Sequence, residues 1–218
     1  MKPRRSNQRN RALTLSEVLV IVATLWLLAA VALAVSGSPG DAQRKICVNN
    51  LKQIADAFRT WAGDNGDRYP AQVPDNHGGA MEEAVRGDVA PVFQVMSNEL
   101  STPRILVCPA DIGRFTANNF VTDFNNSHVS NFIAVDTGDD RYSQRLLSGD
   151  SSLAVGGVSV KSGLAELSTN AVVSWTPKRH FGEGNIDLAD GSVWQTDNKS
   201  LAQKLCQTGL ATNRLAIP

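Results

Sequence analysis

The sequence predicts an α+β protein in which a long N-terminal helix packs on an antiparallel β-sheet and a short helix follows near the C-terminus. Two patterns along the 218 residues predict this class. In the first part of the chain, apolar residues form a continuous run and then a stripe at helical spacing, whereas in the second half short apolar segments alternate with turn residues. Helices that precede a meander of strands are typical of α+β domains.

The helical part begins with an apolar run from Leu13 to Val35, which follows a basic leader at residues 1–12. A membrane-spanning helix needs about 20 apolar residues, so this run predicts a transmembrane helix. The leader predicts its orientation, because positively charged flanks stay on the cytoplasmic side. We therefore expect a single-pass membrane protein with the leader in the cytoplasm and residues 41–218 on the other side of the membrane.

One carboxylate, that of Glu17, lies within this apolar run. A carboxylate in the membrane interior costs about 2.5–3.5 kcal/mol on insertion scales, and a residue kept there usually has a functional role. Two simpler interpretations remain open: a secretory signal peptide cut near Ala34, and a plain signal anchor in which Glu17 has no role. The run is, however, longer than the roughly 7–15 apolar residues of a signal peptide.

A second helix is predicted after a kink or linker at residues 36–40, which contains Pro39 and two glycines. Asp41 is its expected N-cap, and Gly63 is its expected end. The helix is amphipathic, because apolar residues recur every three or four positions along one face. This stripe consists of Cys47, Leu51, Ile54, Phe58 and Trp61.

Beyond residue 70 the predicted elements are shorter. We expect helical segments near 81–86 and 93–100, and a buried strand at 105–108 that Pro109 ends. Two hairpins are predicted where Gly156-Gly157 and Asp190-Gly191 separate apolar segments. The other expected elements are strands at 131–135, 144–148 and 171–175 and a helix at 199–207 with Asn198 as its cap.

The charge balance and the missing motifs exclude several classes of function. The chain has 21 basic and 21 acidic residues, and the leader contains none of the acidic ones. The rest is therefore acidic, which argues against a nucleic-acid partner, because such proteins present a basic face. The sequence contains no nucleophile elbow, phosphate-binding loop or dinucleotide fingerprint. We therefore predict a protein that is not an enzyme and holds no cofactor.

Calcium is the one metal for which the sequence offers candidate ligands. Asp136, Asp139, Asp140 and Asp150 surround a Gly-containing loop, and carboxylate oxygens suit Ca²⁺. Their spacing differs from that of an EF-hand loop, and acidic loops are usually solvated without a metal. We therefore predict no metal and keep calcium as the alternative. His180 is expected to be structural, bonding a backbone group near the Asp190-Gly191 hairpin.

The segment from Arg11 to Glu17 resembles the prepilin signal shared by type IV pilins and the pseudopilins of type II secretion. In that family a basic leader ends in a small residue, usually Gly, and the mature chain begins with a methylated apolar residue, usually Phe. The resemblance implies that prepilin peptidase cuts between Ala12 and Leu13, so that Glu17 becomes the fifth mature residue. It also implies that the Glu17 carboxylate pairs with the α-amino group of a neighbouring subunit, which offsets the burial of both charges.

The rest of the chain resembles a branch of pseudopilin-like proteins found in Verrucomicrobia and Planctomycetes. The matching segments are Cys47–Ile54, Trp61–Pro70, Met96–Pro103, Val107–Asp111, Arg179-His180 and Gly184–Val193. The resemblance implies a pilin-like fold, in which the outer half of a long helix lies across an antiparallel sheet. It also implies a role in a filament and no catalytic activity.

The three cysteines of the chain would face an oxidising periplasm, where one pair can form a disulfide. Their spacing matches no zinc-binding pattern, and unpaired buried cysteines remain an open alternative. Cys47 and Cys108 both lie in apolar segments that match the family. We therefore expect these two to be joined, which leaves Cys206 as the free thiol.

These patterns and resemblances together predict a pilin-like or pseudopilin-like structural subunit of a type II secretion or type IV pilus-like assembly. Its expected partners are prepilin peptidase, the inner membrane and other pilin-like subunits. The alternative is a periplasmic ligand-binding module, either membrane-anchored or secreted after cleavage near Ala34. Such a module would bind its ligand through the loops at 111–128 and 136–150.

Overall fold

The structure is a computed structural model that describes residues 14–35, 39–138 and 142–218, with side chains described except those of 31–35 and 39. It divides into two compact units, the first ending at Pro39 and the second extending from Gly40 to Pro218. The predicted leader, the cleavage residues Ala12 and Leu13, and residues 36–38 of the predicted linker lie outside the described residues.

The first unit consists of helix α1 (Leu15–Val35), with Glu17 in its first turn. Among the described residues, no helix is both long enough and apolar enough to cross a membrane. The transmembrane helix that the sequence predicts at Leu13–Val35 therefore stays a prediction.

The second unit begins with the long amphipathic helix α2 (Pro39–Asp64). Its start lies before Asp41, so the predicted N-cap is wrong: Pro39 occupies the first turn, where proline needs no amide hydrogen. The helix ends one residue after Gly63. The predicted apolar stripe is confirmed, because all five of its side chains, from Cys47 to Trp61, are buried.

The middle of the chain contains three short helices, α3 (Met81–Arg86), α4 (Ala90–Val95) and α5 (Ser97–Leu100). The predicted strand at 105–108 is wrong, because Pro103–Leu106 forms a single 3-10 turn. Thr102 caps this turn by accepting a hydrogen bond from the Arg104 amide, and Pro103 suits its first position. Within this apolar segment, Ile105 and Leu106 therefore pack in the core without joining a sheet.

An antiparallel sheet of six strands organises the rest of the unit, in the order β5-β9-β1-β2-β7-β8. A smaller sheet has the order β4-β3-β6. The strands are β1 (Asn131–Ala134), β2 (Leu146–Asp150), β3 (Leu153–Val155), β4 (Val158–Ser159), β5 (Gly163–Ser168), β6 (Val173–Trp175), β7 (Gly184–Leu188), β8 (Val193–Thr196) and β9 (Thr212–Ile217). Both predicted hairpins are confirmed, because β3 pairs with β4 and β7 pairs with β8.

Sequence reasoning missed β5 and β9, which pair with each other in the large sheet. It also placed the cap of the last helix one residue too late. Helix α6 (Asn198–Gln207) has Asp197 as its N-cap, whose carboxylate accepts from the Ser200 amide at 2.8 Å. An aspartate in that position satisfies an otherwise free amide of the first turn.

Two hydrophobic cores lie on the two faces of the large sheet. Successive residues of β1 show this, because Ile133 packs in the core with α2, whereas Phe132 packs in the core with α6 and the small sheet. Side chains alternate between the faces of a strand, so a sheet covered on both sides has strands that are buried throughout. β1, β2 and β7 have this pattern. The α+β class that the sequence predicts is confirmed.

Candidate functional site

The assembly site predicted at the start of the chain is described only at Glu17. Its carboxylate accepts hydrogen bonds from the amide and the hydroxyl of Thr14, each at 2.8 Å. The Thr14 hydroxyl in turn accepts from the Glu17 amide at 3.4 Å. This reciprocal arrangement is a capping box, which satisfies free amides at the start of a helix.

The capping box gives Glu17 a local role in the start of α1. The pattern Thr14-Leu15-Ser16-Glu17, with an acidic residue three positions after a threonine and before an apolar run, is its sequence signature. Sequence reasoning missed the capping box, because a carboxylate at the start of an apolar run also predicts a role in the membrane. The role in subunit pairing remains a separate prediction.

In the second unit, the most unusual chemistry lies around a disulfide between Cys47 of α2 and Cys108, whose Cα atoms are 5.0 Å apart. Both cysteines are buried, and the link ties the long helix to the segment that follows the 3-10 turn. Cys206 is free and exposed on α6.

A group of buried polar side chains surrounds this disulfide, and we call it the His180 cluster: His180, Asp150, Arg179, Asp111 and Asn185. The His180 Nε2 atom lies 3.4 Å from Cys108 Sγ and 3.7 Å from a carboxylate oxygen of Asp150. His180 therefore contacts the disulfide and does not perform the predicted role of bonding the Asp190-Gly191 hairpin.

The carboxylates of the cluster are held by hydrogen bonds and by the Arg179 guanidinium. The amide and the side-chain nitrogen of Asn185 each donate to Asp150 Oδ2 at 2.8 Å. Arg179 forms an ion pair with Asp111 and donates to the backbone oxygen of Ser130 at 2.8 Å. An Arg179 nitrogen also lies 3.7 Å from Asp150 Oδ1. One cation thus joins a buried acid at the end of β2 and a largely buried acid from the loop that follows Cys108.

Burial and charge act in opposite directions on the two titratable groups next to the disulfide. Burial raises the pKa of Asp150, whereas Arg179, His180 and the bonds from Asn185 lower it. Burial lowers the pKa of His180, and the charge of Asp150 acts against that shift. Two amide donors and a guanidinium favour the ionised form of Asp150, so we treat the cluster as a carboxylate beside a neutral imidazole.

An unusual backbone turn brings His180 to this position. His180 and Phe181 both have left-handed conformations, with φ of 51° and 56°. Such conformations cost about 1–3 kcal/mol for residues other than glycine, and they persist where the surrounding structure imposes them. The turn buries the imidazole against the disulfide and leaves the Phe181 side chain 88% exposed.

A further buried acid, Asp187 on β7, lies outside the cluster. Its carboxylate accepts a hydrogen bond from the Ser148 amide of β2, at the point where the β2–β7 register shifts. Burial raises the pKa of Asp187 to about 8. The group is therefore largely protonated at neutral pH and serves the sheet as a neutral hydrogen-bonding residue.

The structure does not bring the calcium candidates together. Asp139 and Asp140 lie outside the described residues. Asp136 binds the Arg214 side chain, with Nε at 2.9 Å, whereas Asp150 belongs to the His180 cluster. In the β1–β2 register Asp150 faces Asn131, at the opposite end of β1 from Asp136. The four residues of β1 alone span roughly 10 Å, and Asp136 lies two residues beyond the strand, so one ion cannot bind both.

A different set of ligand atoms does converge in the described part of the chain. Cys47, Cys108 and His180 place their sulfur and nitrogen atoms within 4.8 Å of one another. Sequence reasoning did not group these three residues, because they lie far apart along the chain and none of them forms a short motif with another.

A groove next to the cluster is lined by residues of the predicted binding loop at 111–128. We call it the Arg114 groove. Its volume is about 710 Å³, within the range of about 300–1,000 Å³ that is common for ligand pockets. Its lining includes Asp111, Ile112, Arg114, Lys178 and Arg179. Arg114 donates to the backbone oxygen of Pro218 at 2.7 Å.

Comparison with protein-family models, with curated proteins and with solved structures finds no match to this chain.

Proposed function

We propose that this protein is a pilin-like or pseudopilin-like subunit that is anchored in the inner membrane by Leu13–Val35 and assembles through its N-terminal helix. Its periplasmic part is the α+β unit. Prepilin peptidase removes residues 1–12, and the new amino terminus at Leu13 pairs with Glu17 of a neighbouring subunit. The protein has no enzymatic role and needs no cofactor for this function.

The observation that carries the proposal is the position of Glu17 at the start of an otherwise apolar helix. A carboxylate there is costly in a membrane, and pairing with an α-amino group supplies a charge that offsets the cost. The order of elements supports the same function, because an amphipathic helix on an antiparallel sheet follows the apolar helix. The Cys47–Cys108 disulfide supports it further by fixing α2 to its domain.

The capping box makes it possible to separate two roles of Glu17. Glu17→Gln removes the charge but keeps a side chain that caps well, because glutamine also occurs at this position of capping boxes. Thr14→Ala removes the cap and keeps the charge, at a cost of about 1 kcal/mol to the helix. The two substitutions therefore test pairing and capping independently.

The experiment measures how much of each full-length variant is recovered in sheared filaments or in cross-linked ladders from membranes. We expect Glu17→Gln to lower recovery more than about tenfold, which corresponds to 1.4 kcal/mol or more per subunit contact. Thr14→Ala should assemble nearly as well as the wild type. Normal assembly of Glu17→Gln would contradict the pairing role, and equal losses in both variants would assign Glu17 to capping.

The alternative function, a periplasmic ligand-binding module, is supported by the Arg114 groove. The groove lies where the sequence predicts a binding loop, and the Ile112 side chain beside it is 97% exposed. A secreted module of this kind would begin near Val35 and would not depend on the charge of Glu17.

A further inference from the structure

The corner of the fold around the disulfide contains the donor atoms of a metal site. The three atoms Cys47 Sγ, Cys108 Sγ and His180 Nε2 lie within 4.8 Å of one another. Asp150 Oδ2 lies 3.7 Å from the same imidazole nitrogen. All four residues are buried, and thiolate, imidazole and carboxylate are the ligands that Zn²⁺ takes in proteins.

We propose that reduction of the Cys47–Cys108 disulfide converts this corner into a tetrahedral zinc site. Its ligands are the two thiolates and His180 Nε2, which already converge, and Asp150 Oδ2, which lies 3.7 Å from the imidazole and must approach the sulfurs to complete the tetrahedron. The corner then has two alternative cross-links between α2 and the rest of the domain, a disulfide when oxidised and a zinc ion when reduced. This inference goes beyond the proposed function and does not depend on it.

Distances in the cluster already fit such a site. With Zn–S bonds of about 2.3 Å and Zn–N or Zn–O bonds of about 2.0–2.2 Å, neighbouring ligand atoms of a tetrahedral site lie roughly 3.3–3.8 Å apart. The Cys108 sulfur lies 3.4 Å from His180 Nε2. The nitrogen lies 3.7 Å from Asp150 Oδ2. The movements required are the separation of the two sulfurs to about 3.7 Å and the approach of Asp150 Oδ2 to them, since this oxygen is not among the atoms that converge within 4.8 Å.

The surrounding charges suit a site with this ligand set. Two thiolates and one carboxylate exceed the charge of Zn²⁺ by one negative unit. The Arg179 guanidinium lies 3.7 Å from Asp150 Oδ1, and Arg44 interacts electrostatically with the same carboxylate. Asn185 holds Asp150 through two hydrogen bonds. Cations and amide donors outside the ligands thus compensate the excess charge and orient the carboxylate, as outer residues do in zinc sites.

The left-handed turn at His180 and Phe181 supports the assignment because it fixes the imidazole before any metal binds. Its φ angles of 51° and 56° make it costly. A histidine needed only to fill space would not require this turn. A ligand whose position is set in advance loses less conformational entropy on binding.

An external two-electron reductant such as a trialkylphosphine can reduce the Cys47–Cys108 disulfide. The phosphine takes oxygen from water and becomes phosphine oxide, while the S–S bond breaks and each sulfur gains a proton. Zn²⁺ binding then displaces the two thiol protons into solvent, since only thiolates ligate the metal.

The test uses Co²⁺ as a spectroscopic substitute for Zn²⁺ in the full-length chain carrying Cys206→Ser, which removes the spare thiol. The protein is reduced with a phosphine and titrated with Co²⁺. We expect thiolate-to-cobalt charge-transfer absorption and tetrahedral d–d bands that saturate at one ion per chain. The oxidised protein should show neither. A competing addition of Zn²⁺ should abolish both bands.

His180→Ala should weaken cobalt binding by more than about tenfold, the size of effect seen when even outer residues of a site are lost. The matched control is His77→Ala, which changes an exposed histidine that bonds only its neighbour Asn76 in the described contacts. This control should bind like the parent protein. Equal affinities of the parent and His180→Ala would overturn the proposal.

Thermal unfolding keeps the proposal testable even if reduction loosens the fold. Zn²⁺ should raise the Tm of the reduced protein towards that of the oxidised protein, because a metal that binds the folded state stabilises it. It should leave the Tm of the oxidised protein unchanged. A reduced protein whose Tm does not respond to Zn²⁺, or whose cobalt spectrum lacks charge-transfer bands, would contradict the site.

Discussion

At the scale of single residues, the most informative positions are buried groups whose charge depends on their surroundings. Arg179 neutralises Asp111 and lies near Asp150, whereas no cation in the described part of the chain pairs with Asp187, which stays largely protonated. The difference has a physical reason: a carboxylate in a low-dielectric interior remains charged only where donors or cations compensate the lost hydration. None of this could be predicted from the sequence, because the partners lie far apart along the chain.

The raised pKa of Asp187 predicts that the protein becomes less stable as pH rises. Its pKa is about 8 in the folded protein and about 3.9 in an unfolded chain. Between these values the folded state binds one more proton, so the free energy of unfolding falls as pH rises, by up to about 1.4 kcal/mol per pH unit, and levels off above pH 8. Its stabilising contribution is complete only below the unfolded pKa.

Asp187→Asn should remove this dependence, because the amide keeps an oxygen acceptor for the Ser148 amide and does not titrate. Chemical denaturation at several pH values between 6 and 9 measures the difference between wild type and variant. The variant should gain stability relative to the wild type as pH rises to 8. A difference that stays constant across this range would show that Asp187 is ionised in the folded protein throughout.

Removal of the Arg179 charge should lower the free energy of unfolding substantially. Arg179→Met leaves the buried charge of Asp150 without its guanidinium and leaves Asp111 with only the more distant Arg114, and breaking a buried pair costs about 3–5 kcal/mol. Arg86→Met is the control, since Arg86 pairs with Glu83 at an exposed position and should cost less than about 1 kcal/mol. Equal free energies of unfolding for the two variants would contradict the compensating role of Arg179.

At the scale of elements, the sequence predicted the helices and hairpins that are determined by residues close together along the chain. The stripe of α2 and the Asp190-Gly191 hairpin are encoded in spacing and turn residues. Strand β9 was missed because Thr212 and Asn213 resemble an irregular tail, and the segment becomes a strand only through pairing with β1 and β5 on its two sides. The apolar segment at 105–108 was misassigned because Thr102 and Pro103 favour a capped turn there, which burial alone does not reveal.

The Cys47–Cys108 disulfide should contribute strongly to the free energy of unfolding. Cys47 and Cys108 are separated by 61 residues, and closing a loop of that length stabilises a fold by about 4 kcal/mol in the chain-entropy description. The double variant Cys47→Ser/Cys108→Ser should therefore lower the free energy of unfolding by a few kcal/mol in denaturation without added metal. Cys206→Ser should change it by less than about 0.5 kcal/mol. Similar stabilities of the two variants would contradict this role.

At the scale of the whole molecule, the chain combines an apolar helix with a two-core α+β unit. The class could be predicted, because helical and strand periodicities occupy different parts of the sequence. The His180 cluster could not, since the fold assembles it from two separate loop segments and from strands β2 and β7. The proposed pilin-like function depends on the first helix, where Glu17 caps the helix and supplies the charge that we propose pairs with a neighbouring subunit.

The cleavage site can be tested with a matched pair of variants. Ala12→Gly restores the residue usual in the prepilin family and should be processed at least as efficiently as the wild type. Ala12→Leu places a bulky residue at the same position and should block processing. Cleavage that is indifferent to both changes would show that another peptidase acts on the chain.

The most direct test of the proposed function is the intact mass of the full-length chain after co-production with a prepilin peptidase. We predict a mature chain that begins at Leu13 and carries one methyl group on its amino terminus. A chain that begins near Val35, or one that keeps residues 1–12, would contradict the assignment as a pilin-like subunit.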